Sequence, residues 1–153
     1  PMHGKSIKRK RLPGLVVCRF KEHVLNVYNH LKERFPDLVI EWVHSDKKDR
    51  KKIIERFRNN EIDVLVGSYI LSRGKNFPWI KYILNASGSD SPEIISQIMG
   101  RGERKHESKV RTYIEDFYDI GKYVERHSKH RINYYRKEGF RVILKHKAKK
   151  NGK

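Results

Sequence analysis

Two arginines three residues apart, Arg101 and Arg104, are the side chains of this sequence best suited to chemistry. They close the stretch from Ser91 to Arg104, which reads Ser-Pro-Glu-Ile-Ile-Ser-Gln-Ile-Met-Gly-Arg-Gly-Glu-Arg. A guanidinium is always charged and offers a planar fork of donors, so a pair held on one helix suits a multiply charged phosphate better than two lysines would. In phosphoryl transfer such groups stabilise the charge that grows on the transferred and leaving groups. Ser91 can cap a helix through its hydroxyl, and Pro92 at the first helical position gives up only an amide hydrogen that would be orphaned there. With 3.6 residues per turn, Gln97, Arg101 and Arg104 fall on one stripe, and Ile94, Ile95, Ile98 and Met99 form an apolar stripe roughly 120° away. One flank of the predicted helix packs and the other displays the guanidiniums, with Gly100 permitting close backbone approach. The competing reading is a solvated helix end whose cations sit at the negative pole of the dipole.

The elements that would position this helix follow from the apolar pattern. Gly14 to Phe20 gives Leu-Val-Val-Cys-Arg-Phe, a short apolar run suited to a strand covered on both faces. Val24, Leu25, Tyr28, Leu31 and Phe35 recur at helical spacing from Lys21, and Pro36-Asp37 ends that helix. Leu38 to Val43 is a second strand. Asp46 is placed to cap a helix running to about Asn60, with Ile53, Ile54 and Phe57 as its buried stripe. Asp63 to Gly67 and Lys81 to Asn85 are further strands, the loop Ser68 to Pro78 lying between them. After the arginine helix come a strand within Lys109 to Phe117, a helix from about Asp119 to Glu138, and a last short strand, Phe140 to Leu144. Strands alternating with helices of this length imply right-handed crossovers and a mainly parallel sheet covered on both faces, an α/β fold whose ligands bind beyond the carboxyl ends of the strands.

The whole chain has 153 residues, one domain's worth, with 37% hydrophobic residues to fill a single core. Residues 14–144 form that domain, between a basic lead-in over 1–13 and a lysine-rich tail over 145–153. The formal net charge of +18 exceeds what solubility asks of a small domain and points to polyanionic partners, nucleic acid first. The single cysteine, Cys18, can make no intrachain bridge, which fits a reducing, cytoplasmic compartment. No apolar stretch approaches the roughly 20 residues of a membrane span.

Read in order, the segments resemble the second, carboxy-terminal motor domain of superfamily 2 helicases, over about Leu15 to Leu144. Val16-Val17-Cys18-Arg19-Phe20 resembles the strand that opens that domain. His44-Ser45-Asp46, followed by Arg50, Ile53, Ile54 and Phe57, resembles its strand-loop-helix segment. Asp63 to Ser68 with Leu71-Ser72-Arg73-Gly74-Lys75-Asn76-Phe77-Pro78 matches the family's fifth motif, and Gln97 to Arg104 matches the sixth, Q-x-x-G-R-x-x-R. Two motifs in order at the expected interval are far more specific than either alone. The segment Asp116 to Asp119, with His127, Ser128, Arg131, Tyr134 and Tyr135, resembles the branch that contains repair translocases of the XPB type and phage branch-migration helicases of the UvsW type.

This resemblance implies a RecA-like domain and a nucleotide site shared with an N-terminal RecA-like domain of the same or a partner chain, taking ATP with Mg2+. Arg101 and Arg104 would be arginine fingers, with Gln97 beside them. Gly74 and Gly100 would let backbone pass close to the nucleotide. Asn76 stands where an aspartate commonly bonds the ribose, and an amide there accepts a hydrogen bond without carrying charge. Arg19, Lys21, His44, Ser68 and Arg73 would touch the phosphate backbone of DNA, or of RNA, positioning the strand without reading its sequence. No G-x-x-x-x-G-K-[ST] phosphate loop and no paired Asp-Glu metal motif occurs in the chain, so alone it is expected not to hydrolyse ATP.

Two other classes compete. A free-standing basic module with the same fold would bind nucleic acid in a salt-sensitive way and ignore ATP. A metal-dependent nuclease would use Asp116 and Asp119 with Glu115 and Asp90, although helix capping and ordinary surface charge are the favoured explanation of such residues. His127 and His130 share a helix face without a third ligand in the sequence nearby, so no metal site is predicted. Trp42 and Trp79 read as core aromatics, Trp79 next to Pro78 being the one placed to stack on a base.

Overall fold

The computed structural model describes residues 12–68, 77, 79–88, 112–118 and 120–144. Five strands form one sheet, β1 (Gly14–Val17), β2 (Ile40–Val43), β3 (Val64–Gly67), β4 (Tyr82–Asn85) and β5 (Tyr113–Asp116), in the order β2-β3-β1-β4-β5. Every pairing is parallel. Parallel neighbours need a crossover between them, and helices α1 (Lys21–Arg34), α2 (Arg50–Arg58) and α3 (Val124–Lys137) lie between strands or after the last.

Alternation along β1 divides the core in two. Leu15 and Val17 face one side, with Ile53, Ile54 and Phe57 of α2 and Tyr135 of α3. Val16 and Cys18 face the other, with Val24, Val27, Tyr28 and Leu31 of α1. A strand buried on both faces must be apolar at every position, and for that reason β1 reads as a continuous hydrophobic run. Phe57 is fully buried and forms an aromatic cluster with Phe77 (5.6 Å between centroids) and Trp79 (6.5 Å). Burying such a ring stabilises the fold by roughly 1.5–3 kcal/mol. Trp79 therefore belongs to the core cluster, not to an open stacking surface.

Helix ends follow local chemistry. The Phe35 amide donates to the Leu31 carbonyl at 2.9 Å, and Pro36, which has no amide hydrogen, follows. At the end of α2, Asn60 takes a left-handed conformation (φ 58°) and the Glu61 amide donates back to the Arg56 carbonyl at 3.0 Å. Asparagine tolerates that region better than most residues.

Two expectations fail here. Asp46 does not cap α2, which begins at Arg50 with Asp49 at its N-cap, because the Asp46 carboxylate is engaged by Lys21 and His44 instead. Phe140 to Leu144 is not a strand. Its first amide donates to the Tyr135 carbonyl at 2.9 Å, Gly139 (φ 87°) turns the chain, and Phe140 and Val142 pack on the core cluster while Ile143 and Leu144 stay exposed. Helix-terminal bonding has taken the place of ladder pairing. Among the described residues, no helix is long and apolar enough to cross a membrane.

Candidate functional site

The sheet register makes all five carboxyl ends level. Val17 is opposite both Gly67 and Asn85, Val43 is opposite Gly67, and Asn85 is opposite Asp116. In parallel sheets this is the edge where loops gather around ligands. Arg19 and Lys21 leave β1 there, His44 to Asp46 leave β2, Ser68 leaves β3, Asn85 to Ser87 leave β4, and Phe117 leaves β5.

Near β1 and β2 the edge is cationic. Lys21, in the first turn of α1, bonds the Asp46 carboxylate, whose other oxygen lies 2.9 Å from His44 Nδ1. Ser45 Oγ is 3.2 Å from the same nitrogen, and Arg50 donates to the Ser45 carbonyl. Hydrogen bonds from Lys21, then His44, hold the Asp46 carboxyl down at about 2, so it is ionised at every working pH. Arg19 stacks over the exposed Phe20 ring at 5.1 Å. Phe20 occupies the N-cap of α1 and gives no side-chain cap bond. Ser68 is only 6% exposed.

Near β4 and β5 the edge is a buried polar network. Asp116 Oδ2 accepts from Arg131 Nε (3.0 Å), Tyr135 Oη (2.7 Å) and Asn85 Nδ2 (3.2 Å), and Oδ1 accepts from the Phe117 amide (2.7 Å). Arg131, 2% exposed, also donates to the Phe117 carbonyl at 2.9 Å. The Asn85 side-chain oxygen accepts from the Ser87 hydroxyl at 2.7 Å. A buried guanidinium is tolerated only when paired and bonded in this way. Burial, followed by the Asp116 charge, raises the Tyr135 phenol well above its ordinary value, so it remains a donor. The carboxylate proposed above as a nuclease ligand is thus saturated by three side chains of its own fold, and no cluster of three metal-ligating side chains occurs among the described residues.

Of the residues singled out in the sequence, Arg19, Lys21, His44 and Ser68 share this edge. Arg73, Gly74, Asn76, Gln97, Gly100, Arg101 and Arg104 lie outside the described residues, as do Asp90 and Asp119. Asp46, Asn85, Arg131 and Tyr135 gained no functional role from the sequence. A polar residue ending the apolar run of β4 was the one available signal for Asn85.

The comparisons with known proteins agree with this architecture. A model of the helicase conserved C-terminal domain matches residues 5–106. The chain is 34% identical over 115 residues to "Putative ATP-dependent helicase IRC3" of Saccharomyces cerevisiae, covering 74% of this chain and 16% of that protein. It is 31% identical over 128 residues to the replication restart protein PriA of Borreliella burgdorferi, covering 71% of this chain and 19% of that protein. The chain thus spans less than a fifth of the length of these relatives. Among solved structures, T4 UvsW superposes with a TM-score of 0.65 at 21% identity, covering 88% of this chain and 31% of that one. Saccharomyces cerevisiae Dbp5 L327V bound to RNA and ADP BeF3 superposes at 0.63 with 19% identity, covering 90% and 34%. At these identities the structural matches show the shared RecA-like fold.

Proposed function

The chain belongs to the helicase conserved C-terminal domain family, as a second RecA-like domain of superfamily 2 type, and from that premise we propose that it works as the second motor domain of an ATP-dependent DNA helicase or translocase. Nucleotide is held between this domain and an N-terminal RecA-like domain that supplies the phosphate loop and the Mg2+ ligands. ATP hydrolysis supplies the free energy for alternating the grip on the strand.

The observation that carries this reading is the level carboxyl edge, with Val17, Val43, Gly67, Asn85 and Asp116 all in one row. Cations after β1 and β2 and the chain leaving β4 toward Gln97, Arg101 and Arg104 all start from that row. Arg19, Lys21, His44, Ser68 and Arg73 take the nucleic-acid backbone, a sequence-independent grip. Arg101 and Arg104 reach the nucleotide phosphates as fingers, Gln97 orients beside them, Gly74 and Gly100 permit close backbone approach, and Asn76 bonds the ribose. DNA is the strand proposed here, the relatives including a replication restart protein of Borreliella burgdorferi and UvrABC system protein B of Clostridium acetobutylicum. RNA is the alternative, since other relatives are named RNA helicases.

The test is to join this chain to the N-terminal RecA-like domain of its parent or of a relative. Hydrolysis stimulated by single-stranded DNA, absent from either part alone, is the expected result. Binding of DNA with no ATP dependence in the joined protein would favour the free-standing basic module, and stimulation by RNA alone would replace the DNA assignment.

A further inference from the structure

We propose that Phe20 is a base-stacking platform for single-stranded nucleic acid, its ring taking the face of a nucleobase while the flanking Arg19 and Lys21 meet the phosphates on either side. This deepens the motor reading above and rests on its assignment of the carboxyl edge to a nucleic-acid strand.

The placement of Phe20 answers neither to packing nor to helix capping. The residue is 62% exposed and belongs to neither core cluster. It fills the N-cap of α1, where Ser, Thr, Asp or Asn would bond the first-turn amides, and its side chain makes no such bond. A large apolar ring at that place forgoes the cap and stays in water, so the fold itself gains nothing from it. A ligand with an apolar face would cover it.

The backbone holds the ring firmly. The Cys18 amide donates to the Gly67 carbonyl at 2.8 Å, tying the chain to the end of β3, and the Phe20 carbonyl accepts from the Val24 amide at 3.0 Å as α1 begins. Phe20 is thus clamped between sheet and helix in an extended conformation (φ -115°, ψ 153°). A platform fixed before the ligand arrives loses little freedom on binding.

The neighbours select nucleic acid over a protein surface. The Arg19 guanidinium carbon sits 5.1 Å from the centre of the Phe20 ring, and a planar guanidinium stacked in this way extends the platform while it keeps donors for phosphate. Lys21 follows as the first residue of α1, and His44 leaves β2 on the same edge. An aromatic ring set between cations holds a single strand without regard to sequence, because every base has a π-face and every linkage a phosphate. An apolar protein patch would strip water from those cations and return nothing for it. The stacking ring expected from the sequence was Trp79, which the core cluster holds, whereas Phe20 stands open on the edge.

The experiment uses this chain joined to the N-terminal RecA-like domain and measures, by fluorescence anisotropy over a salt series, binding of end-labelled oligothymidylate, oligouridylate and an abasic strand of equal length. Phe20→Leu keeps an apolar side chain and removes the π-face, and Phe20→Trp enlarges that face. The expected result is that Phe20→Leu weakens binding of the base-bearing strand about ten-fold, while Phe20→Trp binds it at least as well as wild type. Binding of the abasic strand stays within about two-fold in both variants, and the slope of affinity against salt is unchanged, since no phosphate contact is altered. Wild-type affinity for the base-bearing strand in Phe20→Leu overturns the platform. So does an equal loss on the abasic strand, which would mean that the ring only orients Arg19. In both cases salt-sensitive binding by wild type leaves the nucleic-acid assignment of the edge standing. If wild type binds none of the strands in a salt-sensitive way, that assignment and the platform fall together.

Discussion

Lys21, in the first turn of α1, and Asp46, in the loop after β2, form an ion pair across the carboxyl edge of the sheet. The same carboxylate lies 2.9 Å from His44 Nδ1. These two groups, proposed above as contacts to the nucleic-acid backbone, thus meet an internal anion that a bound phosphate would have to displace or approach. Replacing that anion should favour binding.

Asp46→Asn is accordingly expected to tighten binding of single-stranded DNA by about two- to five-fold at low salt, the range of an exposed charge pair. The gain should shrink as salt rises, since exposed charges are screened. Fluorescence anisotropy at two ionic strengths measures both. Weaker binding by the variant would mean that Asp46 organises Lys21 and His44 for phosphate instead of competing with it.

Asp46 also makes a signed prediction about acid stability. Its folded pKa, about 2, lies below the ordinary value of 3.8 for this carboxyl, with the Lys21 hydrogen bond as the main cause. A depressed carboxyl contributes stability that is present above the unfolded pKa and is lost as pH falls through the folded one. Wild type should therefore exceed Asp46→Asn in urea midpoint by a constant margin above about pH 4, with the margin closing between pH 4 and 2. A margin that widens on acidification contradicts the pairing.

Cys18 is buried beneath α1, and desolvation raises its thiol to about 11. The thiolate is the reactive form, so the native protein should resist alkylation at neutral pH and react promptly once unfolded in urea. Mass spectrometry after timed exposure to a maleimide reads this directly. Rapid native labelling would mean that the α1 face opens easily.

Asn60 ends α2 with φ 58°. A Cβ-bearing residue without a local polar bond is strained there, whereas glycine is not. Asn60→Ala should cost about 1 kcal/mol of stability, and Asn60→Gly should lie within about 0.5 kcal/mol of wild type. Equal losses for the two variants would place the cause elsewhere than in the backbone.

Much of this fold was legible because its determinants are local and periodic. The Leu-Val-Val-Cys run of β1 and the Ile53, Ile54, Phe57 stripe of α2 report burial directly, and both are buried as read. Elements set by long-range competition were not legible. Asp46 has the composition of a helix cap, but Lys21, 25 residues away, takes its carboxylate. Phe140 to Leu144 has the composition of a strand, but the amide of Phe140 is used by α3. The Asp116 network joins residues 31, 15 and 19 positions apart, spacings that follow no helical or strand period, so periodicity could not join them. The site followed the same division: Arg19, Lys21, His44 and Ser68 stand just beyond strands that their apolar runs reveal, whereas the partners that orient that edge came only from the assembled sheet.

The most direct measurement is the rate of DNA-stimulated ATP hydrolysis by this chain joined to an N-terminal RecA-like domain, with Arg101 and Arg104 replaced by alanine singly and together. If these arginines complete a nucleotide pocket shared between two domains, each single variant should lose about 10³-fold or more in kcat. The double variant should lose little beyond the worse single one, because the pair acts on one transition state. Turnover within a few-fold of wild type in either single variant would contradict the account.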